Sequence, residues 1–593
     1  MEVLKYPFDS ELILKKKKSL KKELLDKKQN NIKKKIAILG GSTTSNIKLI
    51  LELFLLNYGI EPDFYESEYN QYWQDAMFDN EELKNFNPDI IFIHTTNRNI
   101  INYPKVIDDE ETVKNKLEEE YLKYESMWQE LEKKYHCPII QNNFEYPFYR
   151  LLGNKDATSI NGKTNFITKL NIKFAEYAEK HNNFYINDIN YQSSQFGLEK
   201  WNDLFYWYMY KYALSMEAIP TLAFNVANII KAIYGKNKKG LVLDLDNTLW
   251  GGIVGDDGVE NLQIGQETAT AEAYLEFQEY LKEHKDLGIL LNINSKNEMN
   301  NAIAGLNHED GVLKPDDFIV IKANWNPKSQ NMIEIAEELN LGVDSLVFVD
   351  DNPAERAIVK QFVDQVETPA METVDKYIKT IDRNGYFEVI NISKDDLKKS
   401  QMYKENVERN KLMNKFEDYG DYLKSLEMKA TIQDFIPMYM ARIAQLTNKS
   451  NQFNLTTKRY NQSEIEEVAN SDKHIALYGK LSDIFGDNGV VSVIIGEIKK
   501  KELHLDLWIM SCRVLKRDME FAMMDKLVEK AKEHSINKII GYYYPTAKNS
   551  MVKDFYKTQG FKKIKEDETG NTVWEFRINK NYELKNKYIN MEE

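Results

Sequence analysis

Only two of the 593 residues are cysteine, Cys137 and Cys512. Two thiols cannot build a disulfide framework, and neither stands in a C-x-x-C pair, so a cysteine-based metal site is excluded. Such poverty suits a reducing compartment, and the chain is expected in the cytoplasm. No run approaches the roughly 18 uninterrupted apolar residues of a membrane span. The opening MEVLKYPFDSELILKKKKSLKKELL has no apolar core leading to a small-residue cleavage site, so no signal peptide is read there. Positive charge is also short: 79 Lys and Arg against 93 Asp and Glu leave −14. That balance argues against nucleic acid or an anionic membrane as the main partner. Lys15–Lys18 and Lys33–Lys35 are the local exceptions, read as a solvated helix face and a strand lead-in.

What is present is a long chain of ordinary globular composition, too long for one core, so about three domains are expected. The first segment opens with KKKIAILGGSTTSNIKLILELFLLNYG: a strand, a Gly-rich turn and an amphipathic helix. PDIIFIHTTN is a second strand ending in polar residues. Strands alternating with helices imply a parallel sheet, whose ligands bind beyond the carboxyl ends of the strands. The aromatic run WNDLFYWYMYKYALS closes this segment and is read as core. From about Asn237 to Ile390 the α/β alternation resumes through GLVLDLDNT, GILLNINS, FIVIKANW and SLVFVDDNP. A charged helical linker follows. The last segment mixes strands and helices, with VVSVIIGEIKKKELHLDLWIM as a hairpin and EFAMMDKLVEKAKEHS as a helix. The boundaries drawn are 1–235, 236–390, 391–425 for the linker and 426–593.

Chemistry concentrates in the second segment. LVLDLDNTLW sets Asp244 and Asp246 two residues apart where an apolar strand ends. Because the chain turns there, both carboxylates can face one loop space. One can attack phosphorus and form an aspartyl phosphate. The other can protonate the leaving oxygen and later deprotonate water. Further strand ends and helix starts supply the rest. Ser295 can hydrogen-bond a phosphoryl oxygen. Lys328 can neutralise the aspartate and the phosphoryl group. Asp350 and Asp351 offer hard oxygen ligands to Mg²⁺, beside Asp244 and the Asp246 backbone carbonyl. Phosphoryl transfer needs mainly positioning and charge neutralisation, and this set supplies both. Neither the 244–295 nor the 295–328 interval holds a large cap domain, so the site is expected to be open or covered by a neighbouring domain.

These motifs resemble the haloacid dehalogenase (HAD) superfamily. WGGIVGDDGVENLQIG, NSKN, FVDDNPAERAIV, LTNKSNQFNLTTKRY and DIFGDNGVVSVII are similar to the FkbH-like family of HAD subfamily IIIC, over about Ile36 to Phe576. The resemblance implies a multidomain α/β chain: an SGNH-like parallel α/β domain, a HAD Rossmann-like domain without a large cap, and a GNAT-like α+β domain. It also implies dephosphorylation of a small phosphorylated substrate such as 1,3-bisphosphoglycerate, with the glyceryl unit passed to an acyl carrier protein. In several members a cysteine directly before the SKN motif holds the acyl group. Asn294 stands there in this chain, and an amide cannot form a thioester; Cys512 is the other thiol in view.

The last segment resembles GNAT acyltransferases. Asn549 and Tyr556, in NSMVKDFYKTQGF, match positions near the thiol of acetyl-CoA or another acyl-CoA. SCRVLKRDMEFAMM stands where a pyrophosphate loop belongs, with Arg513, Lys516 and Arg517 as its cations and Lys516 and Asp518 where relatives carry glycine. In the SGNH-like segment, Ser42 could be a nucleophile and Asn97 an oxyanion donor. A hydrolase also needs a histidine; none lies around Trp201–Leu214, and His181 is isolated, so a binding role is expected there. The functional expectation is a Mg²⁺-dependent HAD-type phosphatase loading a carrier. The alternatives are a phosphatase fused to an acyl-CoA-dependent acyltransferase in surface-polysaccharide synthesis, and a non-catalytic carrier-recruiting scaffold.

Overall fold

The computed structural model of the chain describes residues 1–26, 31–392, 397–413, 415–449, 452–546, 549–579 and 581–592. Two units are distinct: Met1–Tyr234 with Asn461–Glu464, and Gly235–Tyr460 with Ile465–Glu593. The four linker residues 393–396 lie outside the described residues.

In the first unit the apolar runs become five parallel strands: β1 (Ile32–Gly40), β2 (Ile60–Glu66), β3 (Ile90–His94), β4 (Ile139–Asn142) and β5 (Phe184–Asn187). Their order is β2-β1-β3-β4-β5. Ile36–Leu39 and Ile90–Ile93 are wholly buried, as expected of parallel strands covered on both faces. Gly40 pairs with His94, so the turn after β1 and the loop after β3 start side by side. The aromatic run behaves otherwise than expected. Trp201 and Leu214 are core, but the helix Leu204–Tyr210 between them buries none of its residues, and Phe205 and Tyr208 are 63% and 66% exposed. Asp203 caps this one short helix and Lys211, at φ 60°, stops it. It is a surface turn with aromatic side chains, because hydrophobicity without a 3.6-residue stripe does not define a buried face.

The second unit contains two sheets. The first is fully parallel, ordered β8-β7-β6-β9 from β6 (Gly240–Leu243), β7 (Leu290–Ser295), β8 (Ile321–Ala323) and β9 (Leu346–Val349). Alternation splits its side chains between two cores: Leu241, Leu243, Ile293 and Val349 on one face, Val242, Leu290, Leu346 and Phe348 on the other. The helices Ala269–Asp286, Met299–Leu306 and Lys328–Glu338 fill the crossovers, and no cap domain is inserted. FIVIKANW yields a strand of only three residues.

The second sheet is mixed, with the order β15-β16-β14-β13-β12-β11-β10-β17. Its strands are β10 (Lys429–Asp434), β11 (His474–Asp483), β12 (Gly486–Lys499), β13 (Glu502–Met510), β14 (Lys538–Tyr543), β15 (Lys562–Glu566), β16 (Thr572–Arg577) and β17 (Asn590–Glu592). β12 and β13 form the expected hairpin and Met519–Glu533 the expected helix. The parallel pair β13 and β14 is joined only from Glu502–His504 to Lys538–Ile540, and then the strands part. Residues 453–455 fill the gap. Leu455 N–H donates to the Trp508 carbonyl, Met510 N–H to Phe453 and Tyr544 N–H to Leu455. No described helix is long and apolar enough to cross a membrane.

Candidate functional site

The site lies where β6, β7 and β9 end. The Asp244 amide still donates to the Val349 carbonyl (2.9 Å), so Asp244 leaves the sheet beside Asp350. The chain then turns: Asn247 takes a left-handed φ of 54°, and its carbonyl accepts from the hydroxyls of Tyr274 and Tyr377. This turn brings Asp246 back over the strand end. The Trp250 indole and the Val254 amide donate to its Oδ1 (3.0 Å each), and Asn297 Nδ2 donates to Oδ2 (2.9 Å). Ser295 closes β7, is 2% exposed, and accepts from the Asn324 amide on its carbonyl. Lys328 opens its helix and is almost wholly buried. Its Nζ lies 2.8 Å from Asp244 Oδ2 and 2.6 Å from Asp350 Oδ2.

Electrostatics follow from burial and this one cation. Burial pushes the Asp350 carboxyl up to about 6, the facing Asp244 adds to this, and Lys328 opposes it. Burial also raises Asp246 and Asp351. Burial alone would lower Lys328, but the Asp244 and Asp350 carboxylates outweigh it and hold the ammonium charged. Carboxylate oxygens of Asp244, Asp350 and Asp351 lie within 4.8 Å of one another. Asp244 Oδ1 is buried without a hydrogen-bond partner. A buried, unsatisfied carboxylate oxygen beside two more carboxylates fits a hard divalent cation. The Asp246 side chain stands outside that cluster, its oxygens taken by the three donors above. Arg356 Nη1 donates to the carbonyls of Asp350 and Asp351, and the Asp351 amide to Thr248 Oγ1, which fix the β9 end.

Asn294 points away from the reaction space. Its Nδ2 donates to the Lys328 carbonyl (2.9 Å), and its Oδ1 accepts from Asn331 Nδ2 (3.0 Å). Cys512 is remote from Asp244. Its carbonyl accepts from Asn340, just beyond the far end of the Lys328–Glu338 helix, which is about 15 Å long at 1.5 Å per residue.

The five residues expected to hold acyl-CoA or the pantetheine of a carrier protein are mostly spent within the fold. Arg517 donates to Asp483, Asn406 and the Arg513 carbonyl. Arg513 donates to Ser511 Oγ, the Asn488 carbonyl and Met402 Sδ. Asn549, wholly buried, donates to the carbonyls of Asn454 and Tyr544 and accepts from the Thr546 amide. Tyr556 is 1% exposed, its ring lies against Gly541, and its hydroxyl is raised far above the usual range by burial. Lys516 and Asp518 do adopt the left-handed conformation that favours glycine, at φ 63° and 60°. The Tyr419 hydroxyl closes on the Lys516 carbonyl. The amide-rich run LTNKSNQFNLTTKRY serves the fold in two ways: Thr447 and Asn448 donate to the Tyr460 carbonyl, and residues 453–455 plug the sheet.

In the first unit, Ser42 is buried and its Oγ has no partner. Asn97 is held by Glu145, to which its backbone and side-chain amides both donate. Burial pushes that glutamic acid up to about 7. His94 ends β3 near the Ser42 turn, but it is buried, lowered to about 3 by that burial, and bonded to Asn142. His181 stacks on Tyr177. Sequence reasoning gave no role to Trp250, Asn297, Arg356 or Glu145. Trp250, Asn297 and Arg356 do lie inside the motifs WGGIVGDDGVENLQIG, NSKN and FVDDNPAERAIV, the signal that could have found them.

Residues 35–231 match the family described as FkbH, N-terminal domain. Among solved structures, the N-terminal part of the protein BF1531 from Bacteroides fragilis, containing a phosphatase domain complexed with Mg, is 29% identical. It covers 63% of this chain and 99% of its own, with a TM-score of 0.59. Ard1 from Thermoplasma volcanium (17% identity, 26% of this chain and 99% of its own) and the putative acetyltransferase yncA from Salmonella typhimurium (9%, 26% and 97%) both reach 0.21, too slight to bear on function. No curated protein matches the chain. With the match over its first third and the β6–β9 site, the chain is similar to FkbH-like proteins of the HAD superfamily and to a HAD-type phosphatase domain.

Proposed function

We propose that the chain is a Mg²⁺-dependent phosphatase that acts on a small phosphorylated substrate of the 1,3-bisphosphoglycerate kind and passes the three-carbon unit to an acyl carrier protein. The observation that carries the phosphatase reading is the buried Lys328, shared between Asp244 and Asp350 at 2.8 and 2.6 Å. One ammonium holds the nucleophilic carboxylate oriented and lowers the charge that an incoming phosphate meets. Asp244 is the nucleophile: its carboxylate oxygen bonds to the phosphorus of the phosphate ester as the ester oxygen leaves with its electron pair, while the acyl phosphate is kept for the carrier thiol, which bonds to the carbonyl carbon as phosphate leaves. Asp246 gives that oxygen a proton and later takes one from the water that hydrolyses the aspartyl phosphate. Burial raises its carboxyl, which favours the protonated form needed for the first step, against the Val254 and Trp250 donors. Ser295 donates to a phosphoryl oxygen. Asp244, the Asp246 carbonyl, Asp350 and Asp351 would hold Mg²⁺, which supplies charge neutralisation of the phosphoryl group when bound. Substrate and carrier rest on the FkbH resemblance; the domain boundaries 1–235, 236–390, 391–425 and 426–593 rest on the strand–helix patterning of the sequence. Asn294, turned toward the Lys328 helix, takes no acyl group in this reading. An acyl-CoA-dependent second activity draws no support from the arrangement of Asn549, Tyr556, Arg513 and Arg517.

The test is phosphate release from 1,3-bisphosphoglycerate and from an aryl phosphate, with and without Mg²⁺ and carrier, following the carrier's mass. Release that needs Mg²⁺, is lost in Asp244→Asn and adds a glyceryl mass to the carrier is the expected result. Release with an unchanged carrier mass would leave the phosphatase and remove the carrier. No release from either phosphate would remove both.

A further inference from the structure

We infer that Asn294 is a positioning residue for the phosphatase site, setting where Lys328 stands; this rests on the phosphatase reading above. Asn294 is wholly buried at the penultimate position of β7. Both ends of its amide are used, and both on the helix that Lys328 opens: Nδ2 on the Lys328 carbonyl (2.9 Å) and Oδ1 under Asn331 Nδ2 (3.0 Å). Asn331 Nδ2 also reaches Asn324 Oδ1 (3.0 Å), which accepts from the Asn326 amide. Three asparagines thus tie the end of β7, the loop after β8 and the first turn of the helix into one unit.

No other side-chain hydrogen bond among the described residues reaches the Lys328 backbone. Pro327, before it, has no N–H, and the helix start has no side-chain cap. The Asn294 amide therefore anchors this helix start through the Lys328 carbonyl and leaves its free N–H groups uncapped. It places the lysine backbone so that Nζ spans Asp244 and Asp350. A buried amide whose donor and acceptor are both satisfied rigidifies what it joins, and a misplacement of about 1 Å can cost on the order of a hundredfold in rate. The same geometry turns residue 294 away from the reaction space, so a side chain there acts through Lys328 and not on substrate.

The full chain with Mg²⁺ and p-nitrophenyl phosphate tests this. Asn294→Ala should lower kcat roughly ten- to a hundredfold with KM unchanged within about twofold. Asn292→Ala is the control. Asn292 is equally buried two residues earlier and reaches only the sheet carbonyls of Leu241 and Leu290. It should lower the melting temperature without that loss of kcat. Should Asn294→Ala not fold, Asn324→Ala removes the outer end of the network and should shift kcat in the same direction by less. In a separate arm, the thiol introduced by Asn294→Cys should resist iodoacetamide in the native chain and react on unfolding. A kcat within about twofold of wild type, equal kcat losses in the Asn292 and Asn294 variants, or rapid native alkylation would overturn the inference. A wild-type enzyme silent on the aryl phosphate would count against the phosphatase reading, while the alkylation arm would still report which way residue 294 faces.

Discussion

The Asp350 carboxyl sits near 6 because burial and Asp244 oppose its ionisation. A cation at the cluster must displace that proton, so Mg²⁺ affinity should be level above about pH 7 and fall roughly tenfold per unit below about pH 6. Calorimetric titration at about pH 5 and about pH 7.5 checks it; equal affinities would separate Asp350 from the metal. Glu145 makes the matching statement about stability. Its folded-state value, about 7, lies above the ordinary 4.5. Its contribution is therefore complete below about 4.5 and lost as pH rises through about 7, at most roughly 3 kcal/mol. The melting temperature of the first unit should fall from about pH 6 to about pH 8.5 in wild type and change less in Glu145→Gln. At this scale the paired aspartates, Ser295 and Lys328 were legible because strand ends and helix starts can be read from hydrophobic patterning. The holders of Asp246 were not: Trp250 and Asn297 reach it through a turn and a neighbouring strand, and no pattern states which way a loop amide points.

At the scale of elements, the helix Met299–Leu306 carries Gly305 against the Trp250 ring. A methyl added there would lie 2.8 Å from Trp250 Cη2. Gly→Ala inside a helix ordinarily stabilises by about 1 kcal/mol, but here it must move the indole that donates to Asp246. Gly305→Ala is expected to lower kcat for an aryl phosphate several-fold, and unchanged kcat would show that the indole is dispensable. The parting of β13 and β14 leads to a second expectation. Residues 453–455 and the Asn549 side chain already bond the backbone edges of that gap. Acetyl-CoA should show no saturable binding to the full chain by calorimetry; tight binding would mean that this segment withdraws. The three sheets were foreseen as element sequences. The plug was not, because a polar run with no periodicity reads the same whether it caps helices, binds a ligand or lies between strands. The aromatic run misled for the converse reason: seven residues rich in Phe, Tyr and Trp read as core, yet the helix they form buries none of them.

For the whole molecule, the two units have separate sheets and cores. Calorimetry should resolve two transitions, with Mg²⁺ raising only the one that belongs to Gly235–Tyr460 with Ile465–Glu593, by an amount that grows with the logarithm of its concentration. A single transition, or one in which Met1–Tyr234 shifts with the metal, would contradict this. The α/β class was evident from strand–helix alternation, and the lack of an inserted cap from intervals too short for one. The partition into two units was not, because 461–464 joins the first from a point far along the chain.

Lys328 has a further consequence, for how the protein lives in a cell. Its ammonium already offsets two of the clustered carboxylates, so the repulsion that would otherwise spread an acidic site is relieved from within. Folding of this unit is then expected without a bound ion, so that magnesium depletion should lower turnover before it lowers the amount of folded protein.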